Sequence, residues 1–160
     1  MTEWGNFFVA IVSAAAALTG LIFVGVSISL NRILSVPMLS GRASEPLILL
    51  ITVLIISALC LVPGQPVMLL GLQISIISAI CWAVTLQLDL KMLRNTEIQY
   101  KKHYRRNLLF TQCAVIPFII AGIIISTMGV IGIYWLIPGI IISMIISLMD
   151  AWVLLVEIHR

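Results

Sequence analysis

A stripe of polar residues near the C-terminus is the part of this sequence best suited to chemistry. Gly139, Ser143, Ser147 and Asp150 follow one another at spacings of four, four and three, so on a helix they share one face. Asp150 is a carboxylate within an apolar run, where such a group is costly and usually faces a bundle interior or a wet cavity. The pattern therefore favours a pathway for an ion or a small solute.

Asp150 needs a partner if it lies within lipid, and the sequence offers Arg32, Arg105 and Arg106 as possible ion-pair partners. The alternative is that Asp150 lies at the headgroup level and only pairs with an arginine of a loop. By helical rise it lies roughly 25 Å from the start of its apolar run. That distance places it near one edge of the bilayer.

Other polar or small residues within apolar runs are further pathway candidates, namely Gln73, Ser13, Gly20 and Ser27. Along the first run, small residues recur at four-residue spacing, which lets helix backbones approach closely in a membrane. One interpretation places this helix at the centre of the bundle. The other has the same face line an oligomer axis or a narrow pathway.

Motifs for catalysis, haem or metal binding are missing from the sequence. It contains no His-Glu-x-x-His, no Gly-x-Ser-x-Gly, no phosphate loop and no Cys-x-x-Cys. His103 and His159 lie outside the apolar runs, which disfavours a haem held between spans. Cys60, Cys81 and Cys113 lie at no metal-ligand spacing. We therefore expect no enzymatic activity, no cofactor and no metal site.

The composition indicates that these residues lie on membrane-spanning helices. Hydrophobic residues make up 62% of the 160, charged residues 9%, and the mean hydropathy is +1.22, far from the values of soluble domains. The net charge of +3 lies in short stretches beside apolar runs, where anionic lipid headgroups rather than nucleic acid are the natural partner.

The apolar runs predict one transmembrane domain over residues 1–160, with five spans. A helix needs about 20 residues to cross ~30 Å of hydrocarbon, and only the second run, at roughly 25 Å, is short. Pro63-Gly64-Gln65-Pro66 separates it from the third run, and Ser44 with Pro46 predicts its start. The expected spans are 7–30, 46–62, 66–88, 107–127 and 133–156, and the loops on the cytoplasmic side are 31–45 and 89–106.

The distribution of positive charge predicts the orientation. With five crossings all nine lysines and arginines fall on one side, which the positive-inside rule makes cytoplasmic, with the N-terminus out and the C-terminus in. Four crossings would divide them between the two faces. Four cations are expected to meet lipid headgroups: Lys91, Arg94, Lys101 and Lys102.

The sequence thus predicts an all-α, polytopic transmembrane helix bundle in the plasma or inner membrane. Its expected function is a homo-oligomeric channel or a pathway for an ion or small solute. The alternative is a non-conducting accessory or scaffold protein that acts through helix packing or through its basic cytoplasmic loop.

Overall fold

Helices are the only regular elements in the part of the chain that the computed structural model describes. That part comprises residues 4–28, 30, 33, 37–95 and 101–158, with side chains described for 4–28, 30, 33, 43–94 and 105–153. The expected all-α class is confirmed. The helices are α1 (Gly5–Ile28), α2 (Pro37–Cys60), α3 (Val67–Asn95), α4 (Lys101–Met128) and α5 (Leu136–Ile158), and a 3₁₀-helix (Gly129–Trp135) joins the last two.

Several of these helices could cross a membrane. Within the described residues, four helical stretches are long and apolar enough to do so: Gly5–Ile28, Ala43–Cys60, Val67–Arg94 and Arg105–Val153. The last of them has 49 residues and takes in α4, the 3₁₀-helix and α5. The chain therefore has the architecture of a helical membrane protein.

The chain reverses direction at the 3₁₀-helix. Gly129 has a φ of +77°, a conformation that glycine adopts without strain. Further along, Gly139 of α5 packs so closely on the Phe118 ring of α4 that a Cβ there would lie 2.9 Å from its Cε1 atom. In one straight helix these two residues would lie roughly 30 Å apart. Hence α4 and α5 form a helical hairpin.

A second reversal separates α2 from α3. Helix α2 ends at Cys60 and α3 begins at Val67, with Gly64 at a φ of +70°. The break predicted from the Pro63–Pro66 segment is confirmed. Proline here removes backbone donors and fixes φ, while glycine permits the left-handed conformation, so the two residue types together end one helix and start the next.

The start of α2 differs from the expectation based on Ser44 and Pro46. The helix begins at Pro37 and contains Pro46 in its interior; Pro37 itself has the fixed φ that suits a first helical position. Helices α3 and α4 likewise run on to Asn95 and start at Lys101, within the stretch expected as loop 89–106. A helix needs no lipid contact to continue, and lysine, arginine and leucine are good helix formers.

Helices α2 to α5 form a four-helix bundle, and α1 lies outside it. Helix α1 packs mainly on α2, with a few contacts to α5, through a single seam of Phe8, Ala15 and Ile22. Small residues such as Ala16 and Gly20 are exposed on its other faces. Of the two interpretations, the one with α1 at the centre of the bundle does not hold within the single chain, because residues at seven-residue spacing cover only one narrow stripe of a helix.

Helices α3 and α4 make the closest approach in the bundle. A Cβ on Gly71 would lie 2.9 Å from the Gly122 carbonyl oxygen, and a Cβ on Gly122 would lie 2.7 Å from the Ser75 backbone nitrogen. Ser126 lies one helical turn beyond Gly122, against Gly71. Two Gly-x-x-x-Ser segments thus face each other, the small-residue arrangement that lets helices pack backbone to backbone in membranes.

The two ends of the bundle differ in character. We call the end formed by Trp4, the 61–66 turn and the 3₁₀-helix the turn end; there the rings of Trp4 and Tyr134 lie 5.1 Å apart, edge to face. We call the opposite end the basic end. Among the residues whose side chains are described, four exposed cations lie around it: Lys91, Arg94, Arg105 and Arg106. The apolar core lies toward the turn end.

Candidate functional site

A buried carboxylate of α2 anchors a polar cluster inside the basic end. Glu45 is 1% exposed, and its Oε2 atom accepts a hydrogen bond of 3.2 Å from the Asn107 Nδ2 atom of α4. Glu45 lies on the same face of α2 as the buried Leu49, Thr52 and Ile56, at helical spacing. Because that face packs inside the bundle, the Glu45 carboxylate is buried there.

A second carboxylate reaches the same place from α3. Asp89 is 3% exposed, and its carboxyl group lies beside the Glu45 carboxyl group and the Gln112 side chain. Among the described residues, Asp89 Oδ2 and Gln112 Nε2 are buried and make no hydrogen bond. Asp89 lies six residues before the end of α3, which places the pair roughly 9 Å inside the basic end.

The contact between Glu45 and Asp89 has a chemical consequence. An ionised carboxylate only accepts hydrogen bonds, so a hydrogen bond between the two carboxyl groups requires a proton on one of them. Two buried carboxylates without that proton would repel each other, and a cation between them would remove the repulsion. A single positive charge, either a proton or a small cation, would therefore suit the Glu45–Asp89 pair.

Hydroxyl groups line the interior beside the pair. Thr85 Oγ1 donates to the Cys81 carbonyl oxygen at 2.9 Å, and Thr111 Oγ1 donates to the Asn107 carbonyl oxygen at 3.2 Å; both residues are buried. Their protons are used within their own helices, so the oxygen lone pairs remain available to a donor or a cation. Thr85 lies one helical turn from Asp89, and Thr111 one helical turn from Asn107.

Helix α5 contributes to the same interior through the polar stripe found in the sequence. Ser147 is buried and its Oγ donates to the Pro46 carbonyl oxygen at 3.3 Å, and Ser143 is buried one turn deeper. Gly139 lies against the Phe118 ring. Three members of the predicted stripe thus face the bundle interior.

Asp150, the fourth member, lies elsewhere. It is partly buried and lines a groove between α4 and α5 together with Arg106, one of its three expected partners. Arg105 is exposed and does not line that groove, and Arg32 lies outside the described residues. Asp150 and the Glu45–Asp89 pair therefore form two separate acidic positions.

The remaining pathway candidates do not join this cluster. Ser13, Gly20 and Ser27 are exposed on α1, and the Ser13 hydroxyl donates to the Val9 carbonyl oxygen within its own helix. Gln73 accepts a hydrogen bond from Gln65 near the turn end. In the single chain, the candidates on α1 and the polar stripe of α5 therefore do not line one common path.

Four cations are expected to meet lipid headgroups, and those with described side chains lie at the basic end. Lys91 and Arg94 are exposed on the last turns of α3. Lys101 and Lys102 begin α4, and their side chains lie outside the described part of the chain.

The interior is closed toward the turn end. Buried apolar side chains from all four bundle helices meet there, with Ile56, Ile74, Phe118 and Ile140 within one core cluster. The polar cluster thus lies near one end of the bundle interior, separated from the opposite end by a packed apolar core. Passage through a single bundle would require that core to rearrange.

The oxygen ligands that a cation would meet are limited in kind. No three His, Cys, Asp or Glu side chains converge as a metal site among the described residues. A cation at the cluster would meet two carboxyl groups, amide oxygens and hydroxyls, which suit a proton or a hard cation.

Glu45 and Asp89 are not among the site residues predicted from the sequence, because they fall in the predicted loops 31–45 and 89–106. A span traced by apolar residues ends at the first charge, although the helix and its buried face continue. Periodicity contained a usable signal: Ser78, Thr85 and Asp89 lie at spacings of seven and four, on one face of a helix. A polar residue that shares a helical face with buried residues is a candidate for a functional role inside a membrane.

Comparison with protein-family models, with curated proteins and with solved structures finds no match for this chain.

Proposed function

We propose that this chain is a small multi-pass membrane protein that provides a pathway for a proton or a small cation, with Glu45 and Asp89 as the binding site. The observation that carries this proposal is the meeting of two buried carboxyl groups inside a membrane-type helix bundle. Ionisable residues in such positions commonly mark ion pathways and proton relays. No enzymatic activity is part of the proposal.

The proposal includes five membrane crossings, with the basic end in the cytoplasm and the N-terminus outside. Support comes from the two hairpins and from the exposed Lys91, Arg94, Arg105 and Arg106 around the basic end, because positive residues concentrate on the cytoplasmic side. The location proposed is the plasma or inner membrane. The carboxyl pair would then open toward the cytoplasm.

The closed apolar core favours a gated pathway over a permanently open channel. Ile56, Phe118 and Ile140 block the interior on the turn-end side of the cluster, so a cation bound at Glu45 and Asp89 would leave toward the outside only after helices shift. Small sliding or rocking of packed helices is a common means of such gating. The Gly139–Phe118 contact lies at the point where α4 and α5 would slide.

Homo-oligomerisation remains part of the proposal. Ala16, Ala17 and Gly20 form an exposed face of small residues on α1, and a Cβ at Gly20 would meet nothing within 4 Å. Small faces of this kind allow close helix association in lipid. The same face favours the alternative function, a non-conducting accessory protein that packs on a partner.

Flux through purified protein in liposomes tests the proposal. We expect the wild-type chain to dissipate an imposed proton or alkali-cation gradient, and Glu45→Gln and Asp89→Asn each to slow it about tenfold or more, because each removes one of two charges that attract the cation. Glu97→Gln, which removes a carboxylate in the sequence between α3 and α4, is the control and should leave the rate unchanged.

Three outcomes of the flux measurement differ in meaning. A loss confined to Asp150→Asn would move the site to the α5 stripe. Equal rates in the wild type, Glu45→Gln and Asp89→Asn would refute the carboxyl pair as the site. A wild-type rate equal to that of empty liposomes would favour the accessory function.

A further inference from the structure

A groove between α4 and α5 opens on the outer surface of the bundle near the basic end. Its volume is about 500 Å³, within the range of ~300–1,000 Å³ usual for ligand sites. Arg106, Asn107 and Asp150 are its polar lining residues, and most of the remaining wall is apolar, including Phe110, Ile145 and Met149. The groove thus has the two-part character of an amphiphile site.

The walls of this α4–α5 groove face the surroundings of the bundle. Phe110 is 53% exposed and Met149 64% exposed, on a surface that lies against hydrocarbon in a membrane-spanning bundle. From Asp150 the groove extends along α5 to Ile142, eight residues or roughly 12 Å of helix. That path runs from the headgroup region into the apolar layer, in the direction that a lipid tail follows.

The charges of Arg106 and Asp150 select the headgroup. A guanidinium binds phosphate through paired hydrogen bonds, so Arg106 suits the phosphodiester of a phospholipid. The adjacent carboxylate of Asp150 repels a second anionic group and accepts hydrogen bonds from an amine. A primary amine can donate such bonds, whereas the quaternary amine of choline has no proton to donate.

From this arrangement we infer that the α4–α5 groove binds a phospholipid with an ethanolamine headgroup. Its phosphate lies on Arg106, its amine on Asp150, and one acyl chain lies along Phe110, Ile145 and Met149. The site is distinct from the Glu45–Asp89 pair, although Asn107 borders both. Lipid bound there would hold the α4–α5 hairpin together at its open end.

Lipid retention tests this inference independently of transport. Protein reconstituted in nanodiscs of equal phosphatidylethanolamine, phosphatidylcholine and phosphatidylglycerol is extracted, and its bound lipids are counted by native mass spectrometry. We expect about tenfold enrichment of phosphatidylethanolamine over phosphatidylcholine, as for a charge-assisted hydrogen bond that only one headgroup makes. Asp150→Asn should abolish that preference, and Arg106→Gln should lower retention of all three lipids.

Two further variants keep the test decisive. Ile145→Trp fills the groove without changing any charge and should reduce bound lipid. Arg105→Gln removes the neighbouring exposed cation, which does not line the groove, and should leave the preference for phosphatidylethanolamine unchanged. Helix content by circular dichroism checks that each variant is folded. Equal retention of the ethanolamine and choline lipids by the wild type, or an undiminished preference in Asp150→Asn, would overturn the inference. So would recovery of a dimer that excludes lipid from the groove.

Discussion

At the scale of single residues, the buried hydroxyls of this bundle differ in what they contact. Ser147 donates a hydrogen bond across helices to the Pro46 carbonyl oxygen. Ser57 is fully buried, and its Oγ makes no hydrogen bond among the described residues. The two serines therefore separate the contribution of an interhelical bond from that of hydroxyl burial.

We predict that Ser147→Ala lowers the free energy of unfolding by about 0.6 kcal/mol, the average for an interhelical hydrogen bond in a membrane protein. Ser57→Ala is the matched control and should leave stability unchanged or slightly raised, because it removes a polar group that lacks a partner. Reversible unfolding in mixed micelles measures both. A larger loss for Ser57→Ala than for Ser147→Ala would contradict the assignment of the bond.

Only part of the candidate site could be predicted from the sequence at this scale. The face shared by Gly139, Ser143 and Ser147 follows from helical periodicity alone. The meeting of Glu45 with Asn107 depends on how α2 and α4 pack, across 62 positions of sequence, and no local pattern specifies that contact. Both carboxylates also border apolar runs, where a hydropathy profile does not distinguish a buried helical turn from a loop.

At the scale of elements, the α3–α4 pair depends on glycines that allow backbone contact. Gly71 and Gly122 each lie where a side chain would meet the backbone of the facing helix. The sequence predicted the helices and the break at Pro63–Pro66, because prolines and apolar run lengths act locally. It did not predict which small residues pair, since Gly20 belongs to an equally suggestive pattern and meets nothing.

We predict that Gly122→Ala destabilises the protein by about 1–3 kcal/mol, the usual effect of overpacking, because its Cβ would lie 2.7 Å from the Ser75 nitrogen. Gly20→Ala is the control, and should be neutral or stabilising by up to about 1 kcal/mol, as alanine favours a helix. Thermal unfolding in one detergent compares them. Equal effects at the two positions would mean that α3 and α4 are farther apart than described.

At the scale of the whole molecule, the structure is a four-helix bundle with one helix attached at its side. The all-helical class could be predicted from composition, and the peripheral place of α1 could not. The small residues of α1 predict close packing but do not indicate which helix they pack against. Within one chain, most of them face outward. The sequence pattern alone therefore does not predict whether the exposed face of α1 packs on a second molecule or on lipid.

The proposed topology gives a direct prediction for thiol labelling. In a background with Cys60, Cys81 and Cys113 changed to alanine, cysteine at Gln65 or Val130 should react with an impermeant maleimide added outside intact cells. Cysteine at Arg94 or Arg105 should react only after permeabilisation, because the two ends of the bundle lie on opposite sides of the bilayer. Labelling of Gln65→Cys and Arg94→Cys from the same side would exclude five crossings in this orientation.

The partnership between Glu45 and Asn107 also bears on how the chain is made. Glu45 is synthesised 62 residues ahead of Asn107, which at 5–20 residues per second is a delay of roughly 3–12 s. During that interval the carboxylate has no α4 to shield it, and deep insertion into hydrocarbon is unfavourable. We therefore expect the start of α2 to stay at the membrane surface until α4 has been made, and to reach its final depth only after the α3–α4 hairpin is translated.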